Sequence, residues 1–416
     1  MKQHGVKLLI VSFDAVGDRV FERLRVLPHT GAFLERAAVA RKVRSVFLTN
    51  TYPVHTSVIT GVPPSRHGLV ANEEAFPTRH GEWNYRASLI GAKTLWQAAF
   101  EKGLSVASGL WPVTGGASEI RWNLPEIMPR PGDNQVLLNL KHGSKLMQMG
   151  MFLRHRRLLD GINQPAVDRF TAASMVDVLR RHKPDLALVH FTAYDALCHR
   201  YGEDFDKLDE ALHVMDDGFG AFLGAVTDET AVILFSDHAQ LPLDQTLTPN
   251  DLLVELGLMQ QDAAGTYRPA ESGCFFECAG GSAFFHAGTV DERHAALVRQ
   301  RLAESPGFNR FLTPEEMAEC GSAGRAFGFC ALPGSDYEAY DHGERGQHGY
   351  PADYDGFRVF YAARAPSIPH GALVEGGSLL DLAPLALRLL AESLAPASAP
   401  VLPGLPPARA DFFHGR

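Results

Sequence analysis

Three apolar runs, each leading to an acid or a histidine, constrain this chain more than any other feature. Residues 6–13 (VKLLIVSF) stop at Asp14. Residues 186–191 (LALVHF) lead to Asp195 and His199, and 231–235 (AVILF) run into Ser236, Asp237 and His238. A continuous apolar run, as opposed to alternation, marks a strand buried on both faces, as in a parallel sheet covered by helices. Helical patterns over 167–181 and 204–226 separate the later runs, and this alternation predicts an α/β fold with a central, mostly parallel sheet flanked by helices. The carboxyl ends of such strands line the ligand crevice, so acids and histidines far apart in sequence are expected to converge there.

Further strands are expected at 43–47, 104–110 and 357–362, and an amphipathic helix at 379–390. Residues 111–161, rich in Pro, Gly and Asn with a basic cluster at Arg154, Arg156 and Arg157, read as an insertion lying over the core. Residues 250–345, with many glycines, read as a cap-like region. The expected organisation is one catalytic domain over 1–393 and an Ala/Pro-rich tail over 394–416. Net charge is −9 and the isoelectric point about 6.0, which gives no bulk reason to expect nucleic acid or anionic membrane as partner. Five scattered cysteines suit a reducing, cytoplasmic setting, with Cys274 and Cys278 serving packing. No run reaches the ~18 apolar residues of a membrane span.

Residues 49–72 (TNTYPVHTSVITGVPPSRHGLVAN) carry the chemistry. Thr51 stands before Pro53 and an apolar-periodic run, the position of a helix N-cap. Helix N-termini attract phosphate, so this hydroxyl is either a cap or a nucleophile. Asp14, Asp195 and Asp237 with His199, His238 and His348 make three carboxylates and three imidazoles, a donor set for two Zn²⁺-like ions. Asp195 and His199 are one helical turn apart and can face one ion.

Together these motifs resemble the alkaline phosphatase superfamily, most closely its nucleotide pyrophosphatase/phosphodiesterase branch. The resemblance spans about residues 6–365. It rests on Thr51-Tyr52-Pro53-Val54-His55, Thr60-Gly61 through His67-Gly68 to Asn72, Asp195/His199, Ser236-Asp237-His238 and Gly346 through Tyr350 around His348. It implies an alkaline-phosphatase-like sheet and two Zn²⁺ ions, other divalent transition metals also being compatible. Asp195, His199 and His348 would hold one ion; Asp14, Asp237, His238 and the Thr51 nucleophile would hold the other. Asn72 would help bind the phosphoryl oxygens. Ala239 departs from the glycine usual after Ser-Asp-His, changing a side chain beside the site without removing a ligand.

The expected substrate is a small phosphodiester, nucleotide or phosphonate, with no stable nucleic-acid complex. A monoester dianion calls for a cation, whereas neutral Asn72 suits a diester. Arg66, Arg79 or Lys93 would supply that cation if the loop turned inward. Trp83 and Tyr85 are candidates to stack on a base or leaving group, and Lys93 is the one nearby lysine for phosphonoacetate hydrolysis. A scaffold that kept the fold and lost activity is the rival of another class; it has no need of every ligand position, yet all are filled. The sequence leaves oligomeric state open.

Overall fold

The computed structural model describes residues 5–74, 82–321 and 324–394. Its first six strands are β1 (Leu8–Phe13), β2 (Ala38–Val43), β3 (Val106–Gly109), β4 (Trp122–Leu124), β5 (Leu186–Phe191) and β6 (Ala231–Phe235). They join an eight-stranded sheet ordered Leu373–Glu375, β2, Val359–Arg364, β6, β1, β5, β3, β4. Every pairing is parallel except those of Val359–Arg364, which runs antiparallel to both β2 and β6. Leu8 pairs with Leu186 and with Ala231, so β1, β5 and β6 end level with one another.

Side chains alternate across β1 because the pleat sends successive residues to opposite faces. Leu9, Val11 and Phe13 enter one core with Phe219, Leu212 and Met175 from the helices Phe205–Leu223 and Ala166–His182. Leu8 and Ile10 enter another with Val54, Val58 and Leu389, from the helices Thr51–Thr60 and Leu382–Leu394. Both faces are therefore dry, which is why β1, β5 and β6 read as continuous apolar runs.

The sheet departs from expectation in two places. The strand expected at 43–47 lies earlier, as β2, and residues 44–50 run on as a loop. Arg41 and Lys42 break the apolar run of β2, and both are tied down by acids, Arg41 to Asp18 at 2.8 Å and Lys42 to Glu375 at 2.9 Å. Nor do residues 111–161 lie wholly over the core. Trp111 is fully buried, and Trp122–Leu124 joins the sheet as β4, a strand too short to show periodicity. The helices Gln135–His142 and Lys145–His155 are peripheral.

The cap-like region holds a four-stranded antiparallel sheet ordered Phe275–Cys278, Ser282–His286, Arg325–Ala331, Phe308–Phe311. Phe276, Phe285 and Phe329 give it an apolar cluster of its own. The tail beyond 394 lies outside the described residues.

Candidate active site

Asp14 follows β1 directly and Asp237 lies two residues beyond β6, so the level strand ends bring both carboxylates together. The N–H of Ala15 donates to Asp237 Oδ1 at 3.1 Å. His238 Nε2 lies 3.4 Å from Asp14 Oδ1, 3.2 Å from Asp237 Oδ2 and 3.2 Å from Thr51 Oγ1. Its Nδ1 contacts the Ala239 carbonyl at 3.3 Å, and a carbonyl only accepts, so Nδ1 carries the proton. Burial pushes His238 down to about 4, which keeps the ring neutral. A bare ring nitrogen thus faces two carboxylate oxygens, and neither Asp14 Oδ1 nor Asp237 Oδ2 receives a hydrogen bond from any described group. Three lone-pair donors turned on one point repel one another unless a cation sits among them, so the donor set fits a divalent ion. Burial and the mutual repulsion of the acids hold Asp14 well above the carboxylate range, and burial raises Asp237 to about 6.

A second triad adjoins the first: Asp195, His348 and, again, His238 offer ligand atoms all within 4.8 Å of one another. Asp195 and His199 lie one turn apart on the helix Ala193–Tyr201. His199 stands at the edge of this triad, its Nε2 3.5 Å from Asp195 Oδ2 and its Nδ1 3.1 Å from Glu344 Oε2. Burial opposes a charge on His199, but the two carboxylates win and raise it well above the usual imidazole range. Burial pushes His348 down to about 3. Its backbone is fixed by Gly349, where φ is +83° and a Cβ would lie 1.8 Å from the Ala279 carbonyl oxygen.

Thr51 does not cap its helix. Asn50 is the N-cap residue, Thr51 opens Thr51–Thr60, and its hydroxyl is left to meet His238. Gly61 closes that helix in the left-handed conformation, φ +71°. Asn72 Oδ1 accepts the Tyr52 N–H at 2.9 Å, which orients the remaining amide N–H donors; Asn72 and Thr51 both line a cavity of about 550 Å³. Ala239 is accommodated by Gly17, where a Cβ would stand 2.5 Å from the Ala239 Cβ.

The expected substrate-binding residues divide. Trp83 lines the cavity, edge-on to Tyr52 with ring centroids 5.1 Å apart. Tyr85 does not: it is buried, packed on His142 and clustered with Leu69 and Val113, a core residue. Lys93 is excluded as well, because its Nζ pairs with Glu101, the last residue of the Leu95–Glu101 helix, and it does not line the cavity. Arg66 is exposed and does not line it, and Arg79 lies outside the described residues. Among the described residues the cavity is lined by Asp14, Glu126, Asp195, Glu338 and Glu344 and by no Lys or Arg.

Sequence reasoning missed the groups behind the ligands. His190 Nε2 lies 3.1 Å from Asp14 Oδ2 and its Nδ1 2.9 Å from Glu126 Oε2. Burial opposes its protonation, yet these acids raise it well above the usual range. His55 joins the Thr51 carbonyl at 2.8 Å to Ser12 Oγ at 2.9 Å. Asp168 accepts from the N–H groups of Thr192 and Ala193, at 3.0 and 2.8 Å, and so anchors the start of the helix bearing Asp195 and His199. The signals were a histidine inside LALVHF and a serine inside VKLLIVSF, polar residues in runs otherwise fit for full burial.

Fold and site define an α/β protein with paired acid–imidazole clusters around a threonine at a helix N-terminus. The model of the type I phosphodiesterase/nucleotide pyrophosphatase family matches residues 8–319, and the chain belongs to that family, within the alkaline phosphatase superfamily. Bis(5'-adenosyl)-triphosphatase enpp4 of Xenopus laevis is 24% identical over 264 residues, 59% of this chain and 50% of the relative. Its Mus musculus counterpart is 31% identical over 121 residues, 26% of this chain and 25% of the relative. The chain thus spans half or less of the length of these relatives. The structure of murine ectonucleotide pyrophosphatase/phosphodiesterase 5, an inactive variant in complex with AMP, superposes with a TM-score of 0.66 at 16% identity, covering 96% of this chain and 97% of that one. At that identity the likeness establishes the fold.

Proposed function

We propose that this chain is a dizinc phosphodiesterase/nucleotide pyrophosphatase with Thr51 as its nucleophile. The observation that carries the proposal is the Thr51 hydroxyl, 3.2 Å from His238 Nε2, at a helix N-terminus between two clusters of metal-type donors. Asp14, Asp237 and His238 hold one ion and Asp195, His199 and His348 the other; when bound, the pair supplies positive charge that lowers the hydroxyl pKa and offsets charge on the phosphoryl group. Thr51 Oγ1 loses its proton and attacks phosphorus in line with the scissile P–O bond. That bond breaks as the phospho-threonine forms, the leaving oxygen departing as an alcohol or nucleotide with the proton given up by Thr51. Water then attacks phosphorus, releases the phosphomonoester and returns a proton to the Thr51 oxygen. The amide N–H of Asn72 and the first turn of the helix receive the equatorial oxygens.

A diester is favoured because no Lys or Arg among the described residues lines the cavity to match the extra charge of a monoester or a phosphonate. Nucleotide substrates are supported by the activity for which the bis(5'-adenosyl)-triphosphatase relatives are named. Five unpaired cysteines, four of them buried, support a reducing, cytoplasmic setting.

The test is a comparison of kcat/KM on zinc-reconstituted enzyme for bis-p-nitrophenyl phosphate, p-nitrophenyl phosphate, the p-nitrophenyl ester of thymidine monophosphate, and phosphonoacetate. Preference for the two diesters, with the nucleotide ester ahead, is expected. Dominance of the monoester or phosphonoacetate overturns the substrate class, and zinc-loaded protein inert towards all four overturns the enzyme reading in favour of a scaffold.

A further inference from the structure

The helices Gln135–His142 and Lys145–His155 present an apolar face to solvent. Leu146 is 87% exposed and Leu153 67%, and Val136, Leu137, Met149 and Phe152 are exposed beside them. Leu146, Met149 and Leu153 follow the i, i+3, i+7 spacing of one helical stripe, while Met147 and Met151 face the core. The same segment is locally basic in an acidic protein. Residues 134–159 contain Lys141, Lys145, Arg154, Arg156 and Arg157 and neither Asp nor Glu. Arg154 pairs with Asp177, whereas Lys141, Lys145, Arg156 and Arg157 are exposed and form no ion pair among the described residues.

Exposed leucines flanked by unneutralised cations suit an interface that is apolar within and anionic at its surface. We infer that this face docks the protein on an anionic lipid bilayer. Apolar side chains enter the headgroup boundary and the lysines and arginines meet lipid phosphates and carboxylates. Other occupants fit the charge less well. A two-fold contact with a second copy would set the same uncompensated cations against each other. The segment 395–416 carries Arg409 and Arg416 against Asp411, so it brings no net negative charge to the face. The location adds a consequence. Met128 and Ile162 are exposed at the margins of this segment and also line the cavity that holds Thr51, so docking brings the mouth of the site towards the membrane surface.

The test is co-sedimentation of the full-length, metal-loaded protein with vesicles of phosphatidylcholine containing phosphatidylserine, against vesicles of phosphatidylcholine alone. Binding to the anionic vesicles, weakened by added salt, is expected. Leu146→Glu with Leu153→Glu should lower it by more than about tenfold, and Lys145→Gln with Arg157→Gln by about fivefold per charge removed. Because the substituted positions are exposed, both variants should keep the wild-type melting temperature. Four outcomes overturn the inference: no binding to anionic vesicles, equal binding to neutral ones, binding untouched by either variant, or a concentration-dependent dimer abolished by the leucine substitutions.

Discussion

Thr51 Oγ1 donates to a His238 nitrogen that has no proton of its own, so the hydroxyl has a partner in place but no strong base. Losing that hydroxyl should remove the covalent route and little else. Thr51→Ala is expected to lower kcat on a diester by about 10³-fold or more while zinc content, read by atomic emission, stays unchanged. Near-normal turnover in that variant sinks the nucleophile assignment. Away from the ligands, Glu277 receives Arg325 Nε at 2.9 Å and His286 Nε2 at 2.8 Å within the cap region. Burial pushes the carboxyl up, but His286 and Arg325 overcome it and hold it at about 2. Because the folded value lies below the ordinary 4.5, the stability this group contributes is present above pH 4.5 and is lost as pH falls towards 2. The difference amounts to about 3 kcal/mol. Arg325→Met leaves a buried acid without its main partner and should cost about 3–5 kcal/mol at neutral pH. Urea unfolding should show that gap narrowing on acidification, as the orphaned acid takes up a proton.

At the scale of elements, the helix Ala193–Tyr201 holds two of the six donor residues, Asp195 and His199, and its first N–H groups end on Asp168 of Ala166–His182. Asp168→Ala should free those N–H groups, let the helix start shift, and weaken the ion on the Asp195 side by about 10–100-fold. The ion on the Asp14 side, held from strand ends, should be retained. Metal titration distinguishes the two, and equal loss at both sites would count against Asp168 as a positioning residue. The same helix explains what was legible beforehand. The four-residue spacing of Asp195 and His199 has only one simple reading, a shared helical face, and β1, β5 and β6 announce themselves by burial on both sides. β2 is hidden by Arg41 and Lys42, whose charges are neutralised by Asp18 and Glu375, partners no local window contains. Thr51 read as a cap because the cap position and the first helical residue differ by one place; only the backbone of Asn50 decides between them. Tyr85 and Lys93 read as site residues from nearness in sequence to Asn72, but the chain turns Tyr85 into the core and leaves Lys93 on the surface.

Across the whole molecule, Asp14, Thr51, Asp195, Asp237 and His348 come from segments spread over 335 positions, and they meet because β1, β5 and β6 end at one level while Gly349 turns the last segment back against Ala279. The fold therefore concentrates carboxylates where burial and mutual repulsion penalise their charge, and an ion is the natural counterweight. Stripping metal with a chelator should lower the melting temperature. With ion at a thousandfold excess over its Kd the linkage amounts to about 4 kcal/mol, or on the order of 5–10 °C for a chain of this size. The pH dependence of that gap follows from the raised acids. Asp237, pushed up to about 6 chiefly by burial, is ionised in the folded apoprotein at neutral pH at a cost to stability. The cost is relieved as pH falls through 6, while protons compete with the ion for Asp14 and Asp237. The difference in melting temperature between metal-loaded and stripped protein should thus be widest near neutral pH and shrink towards pH 5. Calorimetry on both forms measures it, and a gap that stays constant across that range, or that grows on acidification, would mean the ion is not held by these carboxylates.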